Sequence, residues 1–304
     1  MTYPNPSLPR SFFRDALDWR HSVTRYLIGR MLVMTAFAAL VNLVFRFLPW
    51  IPPETSPVQY TGGVLALLLV LRTNAGYERW WEGRKLWGGI VNQSRNLAIK
   101  ALAYGPTDAR FREDVVRWTA AFCHAARRSL RDQREAPELA ALLGPEGHSA
   151  VIGAEHMPSF VLTRIAEQLR DVRARGELDG WAFQEIDRER AALLDHIGGC
   201  ERILKTPLPL VHTIKIRRFI LLYLLALPIV LASVSFWLAP LITALVAYPL
   251  LAIDQIGQEL ENPFSERRLS HLPLDTICKT IESNLMAMLL PQSANPHSGT
   301  GAPS

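Results

Sequence analysis

From Phe219 to Ile253 the chain carries no charged residue. At about 1.5 Å of rise per residue a helix over that run would be roughly 50 Å long, against a bilayer hydrocarbon core of roughly 30 Å. Neither a core helix of a soluble domain nor a single membrane span accommodates it. Other shortages exclude other classes. There are only three cysteines, Cys123, Cys200 and Cys278, too few for a disulfide-stapled secreted scaffold, and they read as small buried side chains. No Cys/His spacing resembles a zinc site; Cys123 beside His124 is a lone pair, so no metal or other cofactor is expected. Strand alternation of any length, internal repeats and low-complexity tracts are all missing. So are a nucleophile elbow, a phosphate loop and a pair of facing carboxylates. His21, His124, His148, His196 and His212 have no partner in sequence, and nothing points to an enzyme.

What is present is apolar and clustered. Of 304 residues 49% are hydrophobic and 20% charged, unusually apolar for soluble domains. Pro240, with Trp237 and Ala239 beside it, is a natural turn inside the uncharged run, which predicts two spans, about 219–238 and about 241–253 with its continuation. Met31 to Phe45 is a third apolar run, its length extended by Arg30 and Arg46, which can snorkel. A fourth is SPVQYTGGVLALLLVL, residues 56 to 71. The lead-in, with arginines at 10, 14, 20, 25 and 30 and no small-residue cleavage pattern, does not read as a secretory signal.

Lys and Arg set the topology. The leader is rich in Arg, the link from Leu48 to Tyr60 has none, the stretch after Leu71 has many, and the turn near Pro240 has no charge. Both termini and the large loop are therefore expected inside. This asymmetry accounts for much of the net charge of +5, so a nucleic-acid partner is not needed to explain it.

The inner loop reads as helical. Val115, Val116, Trp118, Thr119, Phe122 and Ala126 recur near a 3.6-residue period between Arg112 and Arg134, which predicts a helix packing by one face. Phe160, Val161, Ile165, Leu169 and Val172 predict another over 158–174. A third is expected over 180–197, with PEGHSAVIG as a loop. Residues 292–304 have the composition of a disordered tail.

Between Pro57 and Pro106 there is no proline, and the apolar run passes directly into NAGYERWWEGRKLWGGIVN. Tyr77, Trp80, Trp81, Arg84 and Trp87 recur there at helical spacing. One long helix is expected to serve both halves, its aromatic side packed on the inner helices and Glu82 pairing with Arg79 and Lys85. Gly63, Leu67 and Leu71 fall at i, i+4 and i+8 and share one side of it. On the residues alone that side could equally pack on another helix or face lipid.

Three separated segments resemble the bacterial branch of the bestrophin ion channels: LRTNAGYERWWEGRKLWG, GGCERILKTPLPLVHT and ELENPFSERRLSHLPLDTICKTIESNL. The resemblance spans nearly the whole ordered chain. It implies an all-α membrane protein with four transmembrane helices and a cytoplasmic helical domain, assembled as a homopentamer around a central pore. The corresponding division is a cytoplasmic segment 1–25, two spans within 26–72, a cytoplasmic helical domain 73–218, two spans within 219–256, a cytoplasmic segment 257–291 and the tail 292–304. Such a protein belongs in a bacterial inner membrane, with lipid and small monovalent ions, chloride or other anions first, as its remaining partners.

By position, the resemblance assigns a pore neck to Gly63, Leu67 and Leu71, and a cytosolic aperture to Leu208. Pro207 and Pro209 remove two backbone donors and hold a non-helical turn there. Rings of Leu67 and Leu71 would gate by dewetting. Gly63 departs from the larger apolar side chain usual in the family, which implies a neck wider at its outer end or only two rings deep. In animal relatives the stretch after ENPF is strongly acidic and clasps calcium; here Arg267 and Arg268 stand in it, so no calcium gating is expected. Asn262, Pro263 and Phe264 are expected to end a helix and pack on a neighbouring subunit. Cation conduction, a non-conducting scaffold and a secondary transporter remain open, although no inverted repeat marks a transporter.

Overall fold

The computed structural model describes residues 12–13, 17–18, 22–47, 56–232 and 237–290. The tail 292–304, most of the leader, part of the link before Tyr60 and residues 233–236 before Pro240 lie outside the described residues. All regular structure among those described is helical. In chain order the helices are α1 (Thr24–Phe47), α2 (Ser56–Tyr104), α3 (Ala109–Leu130), α4 (Pro137–Gly153), α5 (Met157–Ala174), α6 (Gly180–Lys205), α7 (Leu210–Leu231), α8 (Ala239–Glu261) and α9 (Leu274–Ala287). Two compact units result, Met1–Glu82 with Ile203–Leu272 and Gly83–Arg202 with Pro273–Ser304. Helix α2 contributes to both, as the absence of proline across it predicts.

In the first unit α1, α7 and α8 pack pairwise. Leu65 and Leu69 of α2 enter a cluster with Ile216, Ile220 and Leu224 of α7 and Ala247 of α8. Gly76 and Gly257 let α2 and α8 approach closely: a methyl added at Gly76 would lie 3.1 Å from the Gly257 carbonyl. Small residues of this kind bring backbones together where apolar burial itself provides little drive. Among the described residues, α1 and α8 are each long and apolar enough to cross a membrane. The apolar parts of α2 and α7 run into charged segments of the same helices. Helix α7 ends at Leu231, earlier than the predicted 238, and Pro240 falls in the first turn of α8, where a missing donor costs nothing.

The second unit is built on α3, which touches α4, α5 and α9. Asp108 caps its start by accepting from the Phe111 amide at 3.0 Å. The expected single packed face is too narrow. Every residue from Thr119 to Arg127 is buried, because the small side chains of Ala120, Ala121, Cys123, Ala125 and Ala126 let neighbours close around the whole circumference. The predicted loop at PEGHSAVIG is also corrected. Only Gly144 turns, at φ 73° and ψ 177°, a conformation open to glycine and strained for other residues. Pro145, its φ preset for a first helical turn, restarts the helix. Helix α6 continues beyond the expected end at Ile197 to Lys205, with Asp179 capping its start through the Trp181 and Ala182 amides.

All three cysteines are free and buried. Burial pushes the Cys123 thiol up to about 12 and Cys278 well above its ordinary value, so both are protonated and unreactive near neutral pH.

Candidate pore face and the buried charges behind it

Two stripes divide the first half of α2. Leu65, Leu69, Arg72 and Gly76, spaced four, three and four, point inward and are buried. Gly63, Leu67 and Leu71 lie on the other side. Leu67 is 60% exposed and Leu71 55%, and a methyl added at Gly63 would meet nothing within 4 Å. Asn74 and Glu78 continue the same exposed line. Glu78 stands two turns beyond Leu71, within roughly 20° of it around the helix.

Arg72 is 1% exposed, at the end of the apolar run that precedes it on α2. Its guanidinium is hydrogen-bonded to Asp254 of α8, and Glu261 approaches it at 3.6 Å. The second oxygen of Asp254 accepts from Arg217 Nε of α7 at 3.2 Å and from Gln258 Nε2 at 3.0 Å. One carboxylate thus ties three helices together. Both charges were visible in the sequence as single residues ending the apolar runs LLLVLR and LLAID. A lone charge at the edge of such a run signals a partner in space, but that partner is 182 positions away.

Arg79 serves a different purpose from the one expected of it. Instead of Glu82, its donors reach the carbonyls of Ile203, Thr206 at 2.7 Å and Glu261 at 3.3 Å. These belong to the last turn of α6, the residue after it, and the last turn of α8. One cation therefore satisfies orphan carbonyls of two helix ends and complements their dipoles. It also anchors the start of the segment Thr206–Pro209, which is non-helical and ends with Pro209 at the N-cap of α7. Leu208 is half-buried there, between exposed Pro207 and Pro209.

The aromatic run is only partly packed. Tyr77 and Trp81 stack at 6.5 Å and are about half exposed. Trp80 donates its indole N–H to the Ser270 carbonyl at 2.7 Å, and Trp87 is fully buried. At the end of α8, the Asn262 side chain accepts from the Phe264 amide at 3.0 Å. Phe264 is 0% exposed within this chain, so its burial needs no neighbouring subunit. The loop is secured by Glu259, which accepts from the Leu269 amide at 2.7 Å and has Arg268 at 3.8 Å. His124, noted beside Cys123, bonds Glu282 at 2.7 Å.

These features define, among the described residues, an all-helical protein with two helices long and apolar enough to cross a membrane, a buried interhelical ion pair and an exposed apolar line. The chain matches the family described as Bacterial/Fungal Bestrophin protein over residues 4–287. It belongs to the bestrophin family and is a membrane protein. Among its relatives, a voltage-dependent anion channel-forming protein of Synechocystis is 34% identical over 285 residues, covering 91% of each chain. A protein of the same description from Escherichia coli is 32% identical over 282 residues, again covering 91% of each. The crystal structure of a bacterial bestrophin homologue from Klebsiella pneumoniae superposes with a TM-score of 0.81 at 26% identity, covering 86% of this chain and 98% of that one.

Proposed function

We propose that the chain is one subunit of a homopentameric channel for small monovalent anions, chloride first, in a bacterial inner membrane. The observation that carries this reading is the exposed line of Gly63, Leu67 and Leu71 on a helix whose opposite stripe is buried. Around a five-fold axis, that line makes an apolar neck of two leucine rings, open at Gly63, which conducts when wetted. The spans are α1, the first part of α2, α7 and α8, with both termini and residues 73–218 and 257–291 in the cytoplasm. Leu208, held between Pro207 and Pro209 and anchored through Arg79, forms the cytosolic aperture. The names borne by the relatives from Synechocystis and Escherichia coli support anions as the permeant class.

One observation favours a second reading, cation conduction. Glu78 is exposed on the same line as the neck, and a ring of carboxylates biases a pore toward cations. Currents in planar bilayers across a KCl gradient test both. A reversal potential near the chloride equilibrium value supports the first, and one near that of potassium that relaxes in Glu78→Gln supports the second. Leu67→Ala or Leu71→Ala is expected to raise current, and the neck assignment fails if neither does. Leu208→Ala is expected to change relative permeability while assembly persists; loss of the oligomer makes it a packing residue. Silence from folded oligomers favours the scaffold reading.

A further inference from the structure

A cleft of about 280 Å³ opens between α1, α7 and α8, within the first unit. Arg30, Arg217 and Asp254 line its polar part, and Met34, Leu221 and Leu251 line its apolar part. It lies at the end of the bundle where α1 and α7 begin and α8 finishes. The charges there do not cancel. Asp254 already has one oxygen on Arg72 and the other on Arg217 Nε and Gln258. Among the described residues Arg217 bonds through its Nε alone, and it is 44% exposed. Arg30 is exposed, and no hydrogen-bond or ion-pair partner for it occurs among the described residues.

We propose that this cleft binds an anionic phospholipid, its phosphate held between the guanidiniums of Arg30 and Arg217 and one acyl chain lying over Met34, Leu221 and Leu251. Guanidinium groups present paired N–H donors that match phosphate oxygens, and basic recesses between membrane helices suit anionic headgroups. The split lining argues for a lipid over a free anion: a soluble phosphate uses the arginines alone and leaves the adjoining apolar wall uncovered. In occupying the site, the lipid neutralises the excess positive charge beside Asp254 and couples α1 to α7.

The test is a count of lipids retained by the full chain, by native mass spectrometry in detergent with equimolar phosphatidylglycerol and phosphatidylcholine of matched chains. Wild type is expected to prefer phosphatidylglycerol, and each arginine lost is expected to lower that preference about fivefold, in Arg30→Gln and further in Arg30→Gln/Arg217→Gln. Lys215→Gln/Arg218→Gln, which removes exposed charge outside the cleft lining, is expected to leave it unchanged. Arg30→Gln carries the test if Arg217→Gln fails to fold, since Arg30 bonds no other described residue. Leu221→Trp, crowding the apolar wall, is expected to reduce retained phosphatidylglycerol. The proposal is overturned by equal retention of the two lipids in wild type, by an unchanged preference in Arg30→Gln, or by an equal loss in the Lys215/Arg218 variant. It is also overturned if glycerol phosphate displaces the lipid as well as added phosphatidylglycerol does, which identifies a soluble-anion site.

Discussion

The two units of this chain handle charge in opposite ways. In the first, Arg72 and Asp254 are 1% and 3% exposed and their ion pair lies among apolar helices. In the second, Arg127 and Arg131 at the α3 end are nearly as buried, at 5% and 3%, but together with Arg128 they share two carboxylates that water reaches, Glu138 and Asp275, whose exposures are 19% and 51%. Without water, a buried cation has no substitute for its carboxylate, so removing the carboxylate strands the charge. Where water reaches, each lost contact is partly replaced, and the cost is graded. Charge at this point of the first unit is therefore concentrated on one buried carboxylate, Asp254, and in the second it is distributed over two that water reaches.

The sharpest way to break that contrast is Asp254→Ala. It leaves Arg72 only the 3.6 Å approach of Glu261 and frees Arg217, and is expected to cost about 3–5 kcal/mol, seen as loss of monodisperse protein or a large drop in thermal midpoint. The double variant Arg72→Met/Asp254→Leu is expected to recover most of it. If the single variant is as stable as wild type, the pair is not a fastening. Next in size is Arg79→Ala, which exposes carbonyls at two helix ends, for about 1–3 kcal/mol. Its second readout is permeability, expected to shift in the same direction as in Leu208→Ala.

Smaller and pH-dependent is Glu138→Gln. Burial raises the Glu138 carboxyl, but hydrogen bonds from Arg128 and the charge of Arg127 outweigh it and hold the group below 4.5. Asp275 behaves alike: burial raises it, the Arg131 bond and charge prevail, and it sits below 3.8. Both groups are depressed in the fold, so their contribution is complete above those ordinary values and is lost as pH falls through the lower folded ones. Burial also lowers His124 below 6.5 despite its bond to Glu282. The unfolded chain therefore takes up that proton first, and stability begins to fall below about 6.5. Thermal midpoints against pH are expected to show a shallow loss from there and a steeper one below about 4.5, the ordinary Glu138 value; Glu138→Gln weakens the lower step and, by removing a carboxylate 3.8 Å from the His124 ring that favours its protonation, deepens the upper one. The smallest effect expected is for Arg164→Ala. Its exposed bridge to Glu167 contributes at most about 0.5 kcal/mol, and its guanidinium, 5.8 Å from the Trp118 ring centroid, about as much again.

How much of this was legible depends on the range of the interaction involved. The proline-free stretch predicts α2 correctly, and the 3.6-residue periods locate α3 and α5 to within a few residues, because helix formation and its punctuation are local. The loop predicted at PEGHSAVIG shows the limit of local cues: Gly and Pro together read as a break, whereas Gly144 alone turns and Pro145 begins a new helix. The one-sided α3 fails for another reason. Alanines carry no signal of which side is covered, and only the neighbours decide it. At the candidate site, the spacing of Gly63, Leu67 and Leu71 put them on one side of α2, and the tertiary packing left that side open by burying Leu65 and Leu69.

By itself, the sequence determined that the chain is helical, apolar enough to enter a membrane and of the bestrophin kind, since composition, period and motif order are properties of neighbouring residues. Only the tertiary structure decided which lone charges meet. Arg72 finds Asp254 and Arg79 finds the ends of α6 and α8, because these partners are far apart along the chain and nothing short of packing brings a buried cation to its acceptor.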